Sequence, residues 1–336
     1  MSLKSSPNNR VRNIARRCLL LTCFMLAGLL LGVQALQAAG TAANAVVGTG
    51  TSASCTEGAF DAALFAVQNG GGGTITFNCG PSIHFIEFFA GSTGKIINTP
   101  VVINGGNKIV LNAYNERRHF YVEANGSLTL QNITLVQGFN NTGGGGSIYN
   151  LGTLILDGAN ILDSNVDVNR SGGAILSSGG PVTITDSRLE NNTGGSVGGL
   201  YLVGESADAT ITNSIFRNNR TTNTTYGLGG AITTWDGADV TIRNSTLEGN
   251  QARQGGAIYN QFAATTIAID ANAKVITNTA TLTGGAISNL LGTITISNST
   301  LSGNSAQAGD GGGIYAAGGL LTISSSTLFS NSVAAD

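Results

Sequence analysis

The sequence predicts a parallel β-helix, a solenoid in which one short β unit is stacked on itself. A Gly-Gly-Ala-Ile phrase, or a looser copy of it, recurs with first glycines at Gly145, Gly172, Gly198, Gly229, Gly255, Gly284 and Gly311. Successive copies lie 26 to 31 residues apart, and a fixed period in this range is typical of repeat architectures. Each unit also contains an alternating stretch such as Val240-Thr241-Ile242, which indicates a strand with one buried face. A propeller blade would need about 40 residues, so a solenoid coil fits the period better.

Stacked coils place equivalent residues in columns about 4.8 Å apart. We expect about ten coils of roughly 27 residues, and therefore a rod roughly 45–50 Å long. The glycine pairs suit a sharp corner with no room for a Cβ atom. An asparagine closes each unit 20 to 23 residues after its first glycine, and stacked amides can hydrogen-bond along the axis. The predicted turn column consists of Asn165, Asn192, Asn219, Asn250, Asn278, Asn304 and Asn331.

Residues 1–45 are predicted to be a leader outside this fold. Four arginines precede an apolar run over 18–33, and small residues follow, which is the pattern of a secretory signal peptide. Cleavage after Ala35 and cleavage after Ala45 both fit. The alternative is an uncleaved anchor, because the run is close to the minimum length for a membrane span. The leader predicts an exported protein, either extracellular or at the cell surface or outer membrane.

Residues 46–80 are predicted to cap the first coil. Apolar residues at Phe60, Leu64 and Val67 indicate a short amphipathic helix over 56–68, and a solenoid needs a cover at the end of its core. Outside the leader only Cys55 and Cys79 remain, and two cysteines in an exported chain indicate one disulfide.

Residues 81–336 are predicted to form the β-helix itself, with the most regular repeats over 143–331. Five residues follow the last turn asparagine, Asn331, so the final coil is expected to present unpaired strand edges that invite association. Either a partner chain covers this coil, or the sequence is a truncated passenger fragment of a larger surface array.

Charge is sparse, at 10% of residues. Without the five basic residues of the leader, 11 basic side chains stand against 18 acidic ones. This excludes the basic patch on which nucleic-acid binding depends. A neutral surface rich in Thr, Ser, Asn and Gly suits a polysaccharide or a component of the cell surface or matrix as partner.

The glycine phrase is followed in one unit by Phe216-Arg217-Asn218-Asn219. The combination of Gly-Gly-Ala-Ile with Phe-x-x-Asn resembles the repeats of polymorphic outer membrane proteins and, more broadly, of bacterial right-handed parallel β-helix proteins. The resemblance covers about residues 143–331, and most units carry Leu or Val in place of the Phe. It implies a right-handed solenoid that is secreted or displayed at the surface, in some members for adhesion.

One group of acidic residues is a candidate for chemistry. Glu205 and Asp236 lie seven residues after the first glycines of adjacent units, and Asp208 and Asp239 lie ten residues after them. Stacking would place each pair about 5 Å apart, where carboxylates raise each other's pKa, bind a cation or act as an acid and base on a glycan. Trp235 is adjacent and could support a sugar ring. The competing interpretation is that these are solvated turn residues.

Polysaccharide lyases and hydrolases also use the parallel β-helix. The clustered aspartates, Gly-His pair and Arg-x-Lys of polygalacturonase-like enzymes are missing. His84 and His119 are the only histidines, and a structural role is expected for both. No metal site or cofactor is predicted. The sequence therefore favours a non-enzymatic, adhesin-like or matrix- or glycan-binding scaffold, with a polysaccharide-active enzyme as the alternative.

Overall fold

The chain forms a parallel β-helix, as predicted. The structure, a computed structural model, describes residues 43–89 and 94–334. The predicted leader lies outside the described residues up to position 42. The first strand begins at Ala43, three residues before the predicted boundary of the cap.

Four parallel sheets run along the solenoid, and a complete coil contributes one short strand to each. Within the described residues sheet 1 has eleven strands, one more than the ten coils expected: Ala43–Val47, Gly73–Phe77, Pro100–Asn104, Ser127–Gln131, Thr153–Asp157, Val182–Thr185, Ala209–Thr212, Val240–Arg243, Thr266–Asp270, Thr293–Ser297 and Leu320–Ser324. Sheet 2 follows a corner and comprises His84–Glu87, Ile109–Asn112, Thr134–Val136, Asn160–Leu162, Arg188–Glu190, Ile215–Arg217, Thr246–Glu248, Lys274–Ile276, Thr300–Ser302 and Thr327–Phe329.

The remaining two sheets close each coil. Sheet 3 comprises Phe139–Asn140, Asn165–Val166, Thr193–Gly194, Arg220–Thr221, Gln251–Gln254, Thr279–Thr283, Ser305–Ala306 and Ser332–Val333. Sheet 4 follows the glycine pairs and comprises Lys95–Ile97, Phe120–Val122, Ile148–Asn150, Ile175–Ser178, Leu200–Val203, Ile232–Trp235, Ile258–Asn260, Ile287–Asn289 and Ile314–Ala316.

The core consists of aliphatic columns that follow from the in-register pairing. In sheet 1, Ile211 pairs with Ile242, which pairs with Ile269 and then Ile296, and each of the four is at most 1% exposed. Burying one such side chain contributes roughly 1.5–3 kcal/mol. The final coil lacks this cover, since Ile323 is 40% exposed and Leu328 is 43% exposed.

The N-terminal cap is a single helix, α1, over Glu57–Asn69. It begins where the Thr56 side chain accepts a hydrogen bond from the Ala59 backbone N–H, which satisfies one of the free donors of the first turn. Its apolar face is buried through Phe60, Ala63, Leu64 and Val67. The predicted Cys55–Cys79 disulfide is present, with 5.6 Å between the Cα atoms. A one-turn 3₁₀ helix, Ser52–Ser54, precedes α1.

The predicted asparagine column is confirmed from Asn192 onward. Each side-chain Nδ2 donates to the Oδ1 of the next member at 2.8–3.0 Å, and each backbone N–H donates to the same oxygen, through Asn219, Asn250, Asn278, Asn304 and Asn331. A second Nδ2 hydrogen reaches a backbone carbonyl, such as the Leu189 oxygen at 2.8 Å from Asn219. The buried amides therefore satisfy one another and the backbone.

The prediction that Asn165 belongs to this column is wrong. Ser164 occupies the position instead, because its backbone N–H donates to Asn192 Oδ1 at 3.0 Å. Asn165 lies one residue further, at the start of a sheet 3 strand, where its Nδ2 donates to Asn115 Oδ1 at 2.6 Å. The inward-facing residue of this coil is Ile161, not Leu162. The turn position three residues after it is therefore residue 164 and not residue 165.

Candidate functional site

Two of the four predicted acidic residues stack as expected. Asp208 and Asp239 lie directly before paired strands of sheet 1, where Ala209 pairs with Val240. The Asp239 backbone N–H donates to Asp208 Oδ1 at 2.8 Å, and the Thr266 N–H donates to Asp239 Oδ1 at 2.6 Å. Each carboxylate thus accepts a backbone hydrogen bond from the next coil, which is the role of a turn residue.

The other two acidic residues are not level with each other. In sheet 4, Val203 pairs with Trp235, so Glu205 is level with Gly237 rather than with Asp236. A Cβ atom placed on Gly237 would lie only 2.8 Å from Glu205 Cγ, which shows that the Glu205 side chain lies against this glycine. Asp236 itself has a left-handed φ of 57°.

Trp235 lies at the end of a sheet 4 strand and is half-buried. Its ring packs against Phe262, with centroids 4.9 Å apart and planes inclined by 69°. Part of the indole surface is therefore taken up by a contact within the protein, and only the remainder could meet a sugar ring.

Both histidines have structural partners. His119 is fully buried rather than edge-packed, and its Nδ1 and Nε2 lie 3.0 Å from Ser147 Oγ and from the Leu111 carbonyl oxygen. Burial lowers the pKa of His119 to about 4, so the ring is neutral at neutral pH. His84 contacts Ser52 Oγ at 2.7 Å and the Cys55 carbonyl oxygen at 2.8 Å.

Within residues 43–89 and 94–334, no group of three or more His, Cys, Asp or Glu side chains could hold a metal ion. None of the helices in this part of the chain has the length and apolar character needed to cross a bilayer.

The most extended surface feature is the outward side of sheet 1. Strand alternation points every second residue to solvent, and in the later coils these outward residues are mostly hydroxyl residues. We call this set the hydroxyl face: Thr183, Thr185, Thr210, Thr212, Thr241, Thr295, Ser297, Thr322 and Ser324. The members form two adjacent columns, since Thr183 pairs with Thr210 and Thr185 with Thr212, and the pairing continues to the final strand.

The hydroxyls of this face are available to a ligand. Among the described residues, none of the nine side-chain oxygens hydrogen-bonds to another protein group, and all nine residues are half-buried or exposed. Ala268 interrupts the first column between Thr241 and Thr295. Arg243 and Asp270 interrupt the second column, and these two charges pair with each other at 3.2 Å. In the sequence, the alternating threonines indicate strands, and the same residues form this surface.

The chain belongs to the right-handed β-helix family. The family model for the right-handed β-helix region matches residues 101–279 and, in a second overlapping match, residues 157–335. This confirms the predicted right-handed solenoid. Comparison with curated proteins gave no significant match, and neither did comparison with solved structures.

Proposed function

We propose that this protein is a non-enzymatic, exported β-helix that binds a neutral extracellular polysaccharide along its hydroxyl face. The observation that carries the proposal is the pair of in-register Thr and Ser columns, whose hydroxyls have no partner among the described residues. A threonine side chain offers a donor, an acceptor and a methyl group. A sugar ring presents the same mixture of hydroxyl and apolar C–H groups, so the two surfaces are complementary.

The regular spacing suits a polymer rather than a small molecule. Strands about 4.8 Å apart repeat the same contact along the axis, and eleven strands make sheet 1 roughly 48 Å long. Each contact is weak by itself, but many contacts along one chain add up as multivalent binding does. The scarcity of basic residues argues against an acidic polymer.

The enzyme alternative has less support. A hydrolase or lyase needs convergent acid, base and binding groups around one substrate position. Here Asp208 and Asp239 accept hydrogen bonds from backbone amides, and Glu205 is level with a glycine. We therefore assign these carboxylates to the solenoid turns.

Export and surface display are part of the same proposal. They rest on the signal-like leader and on the resemblance to polymorphic outer membrane repeats. Since Ala43–Val47 pairs with Gly73–Phe77, cleavage after Ala45 would remove three residues of a strand. The cleavage site after Ala35 is therefore the better candidate, and N-terminal sequencing of the exported chain tests it.

The binding proposal predicts retention on insoluble neutral polysaccharides. The purified protein is mixed with cellulose, chitin, β-1,3-glucan or mannan, and the fraction removed by sedimentation is measured. At least one polymer is expected to retain the protein. The double substitution Thr210→Arg and Thr241→Arg should weaken that binding at least tenfold, because two long charged side chains would interrupt the column of hydroxyls that contains both threonines.

The matched control places arginines at two paired neighbours on another outward surface, Thr300 and Thr327 of sheet 2. This variant should bind like the wild type. Equal losses in both variants, or no retention by any polymer, would contradict the proposal. Release of reducing ends or unsaturated products from a bound polymer would contradict its non-enzymatic part.

A further inference from the structure

A cleft at the N-terminal end is lined by two exposed phenylalanines and two glutamates. We call it the N-terminal cleft: Cys55, Thr56, Glu57, Gly58, Phe85, Glu87 and Phe89, which enclose about 340 Å³. Phe85 is 55% exposed and Phe89 is 60% exposed. Two large, exposed apolar rings that line the same surface cavity are typical of a binding site.

The aromatic wall is extended by Tyr114, which is 40% exposed. Its ring stacks on Phe89 with centroids 5.6 Å apart and planes inclined by only 13°. Tyr114 has a left-handed φ of 54°, which is costly for a bulky residue. The conformation is held by Asn112 Oδ1, which accepts from the Tyr114 N–H at 3.0 Å, and by Glu87, which accepts from the tyrosine hydroxyl.

The opposite wall is held in place by α1. Glu57 Oε2 accepts from the Phe89 backbone N–H at 2.8 Å, so the start of the helix is tied to the aromatic wall. Lys95 Nζ lies 2.6 Å from Glu57 Oε1 and 2.7 Å from Asp61 Oδ1. The cleft is therefore built before any ligand arrives, which lowers the entropic cost of binding.

The charges in the cleft select the ligand. Among the described residues, its lining contains two carboxylates, Glu57 and Glu87, and no basic side chain. Lys95, beside the cleft, contacts both Glu57 and Asp61. An acidic sugar such as a uronate would meet the like charge of Glu87, whereas a neutral sugar can donate a hydroxyl hydrogen to Glu87 and pack its C–H face on an aromatic ring.

We propose that the N-terminal cleft binds a neutral pyranose ring, with Phe85 and Phe89 as the apolar platform and Glu87 as hydrogen-bond acceptor. The site is separate from the hydroxyl face and does not depend on it. It would let the protein hold one sugar of a glycan at the capped end of the solenoid.

The test measures binding of soluble hexasaccharides by calorimetry. The probes are the β-1,4-linked hexamers of glucose, mannose, xylose and N-acetylglucosamine, together with the galacturonate hexamer as the acidic comparison. At least one neutral hexamer is expected to bind at least tenfold more tightly than the acidic one. Phe89→Ala should weaken that binding at least tenfold. Phe65→Ala is the control, because Phe65 is equally exposed at 68% but lies on α1 outside the cleft.

A second variant keeps the aromatic wall and tests the contribution of its hydrogen bond to Glu87. Tyr114→Phe keeps the stacked ring and removes only the hydroxyl that donates to Glu87, so binding should fall by a smaller factor, about threefold. The Thr210→Arg and Thr241→Arg variant should bind the hexamer like the wild type, which separates this site from the hydroxyl face.

Three results would overturn the assignment to a neutral sugar. They are no binding of any neutral hexamer, equally tight binding of the galacturonate hexamer, and equal effects of Phe89→Ala and Phe65→Ala. Self-association that Phe89→Ala abolishes, without sugar binding, would instead identify the cleft as a protein contact.

Discussion

Replacing Asn250 with Asp is expected to lower the free energy of unfolding by about 3–5 kcal/mol. Asn250 is fully buried, and its Nδ2 donates to the Phe216 carbonyl oxygen and to Asn278 Oδ1, both at 2.9 Å. Its Oδ1 accepts from the backbone N–H and the Nδ2 of Asn219, both at 3.0 Å. A carboxylate would keep the acceptor, lose both donors and place a buried charge against two oxygen atoms.

The control is the same chemical change at an exposed position. Asn213→Asp keeps the oxygen that accepts from Asn244 Nδ2 at 2.7 Å, and the side chain stays in water, so a change within about 0.5 kcal/mol is expected. Urea unfolding followed by circular dichroism gives both values. Similar losses for the two variants would mean that the buried amide column does not stabilise the solenoid.

Gly256→Ala is expected to prevent folding or to cost more than about 4 kcal/mol. Gly256 is the second glycine of its pair, and a Cβ atom there would lie 2.1 Å from the Gly285 carbonyl oxygen and 2.7 Å from backbone atoms of Thr279. These are main-chain atoms of the next coil, so no side chain can rotate away. The cost is steric, because the φ of Gly256 is not in the left-handed region.

Gly58→Ala provides the comparison. Gly58 lies in the first turn of α1, and the nearest atom to a new Cβ is Thr56 Oγ1 at 3.9 Å. Alanine should be neutral there or stabilise by up to about 1 kcal/mol. Expression yield and thermal unfolding of the two variants are compared. A folded Gly256→Ala protein as stable as Gly58→Ala would show that the corners are not packed as described.

The fold could be predicted because each coil needs the same kind of residue at the same position, as a buried side chain, a tight corner or a turn amide. The asparagine column is visible in the letters since every buried amide needs an identical partner one coil away. The prediction for Asn165 is wrong because two apolar residues, Ile161 and Leu162, are adjacent in this coil. Local alternation cannot decide which of them faces inward, and the pairing of Ile161 with Leu189 does.

The candidate sites were less predictable, because links between sheets vary in length. Asp208 and Asp239 stack since Ala209 pairs with Val240 at the same offset as in the sequence repeat. Glu205 does not reach Asp236, because sheet 4 is offset by one residue more, with Val203 paired to Trp235. The N-terminal cleft had no signal in the repeat, since it depends on α1 and on the left-handed conformation of Tyr114.

The central claim, that equivalent residues of successive coils lie directly over one another, can be tested by disulfide formation. In a chain with Cys18 and Cys23 changed to Ser, cysteines replace Thr210 and Thr241, which are paired neighbours in sheet 1. Their Cα atoms should be about 4.8 Å apart, within the range that a disulfide bridges.

The comparison pair replaces Thr210 and Arg243, which lies two residues further along the neighbouring strand and therefore beyond the roughly 7 Å limit for bridging. After mild oxidation, the cross-linked fraction of each variant is measured by mass spectrometry. The described register predicts rapid cross-linking of positions 210 and 241 and little of 210 and 243. Equal rates for the two pairs, or faster cross-linking of the second, would contradict it.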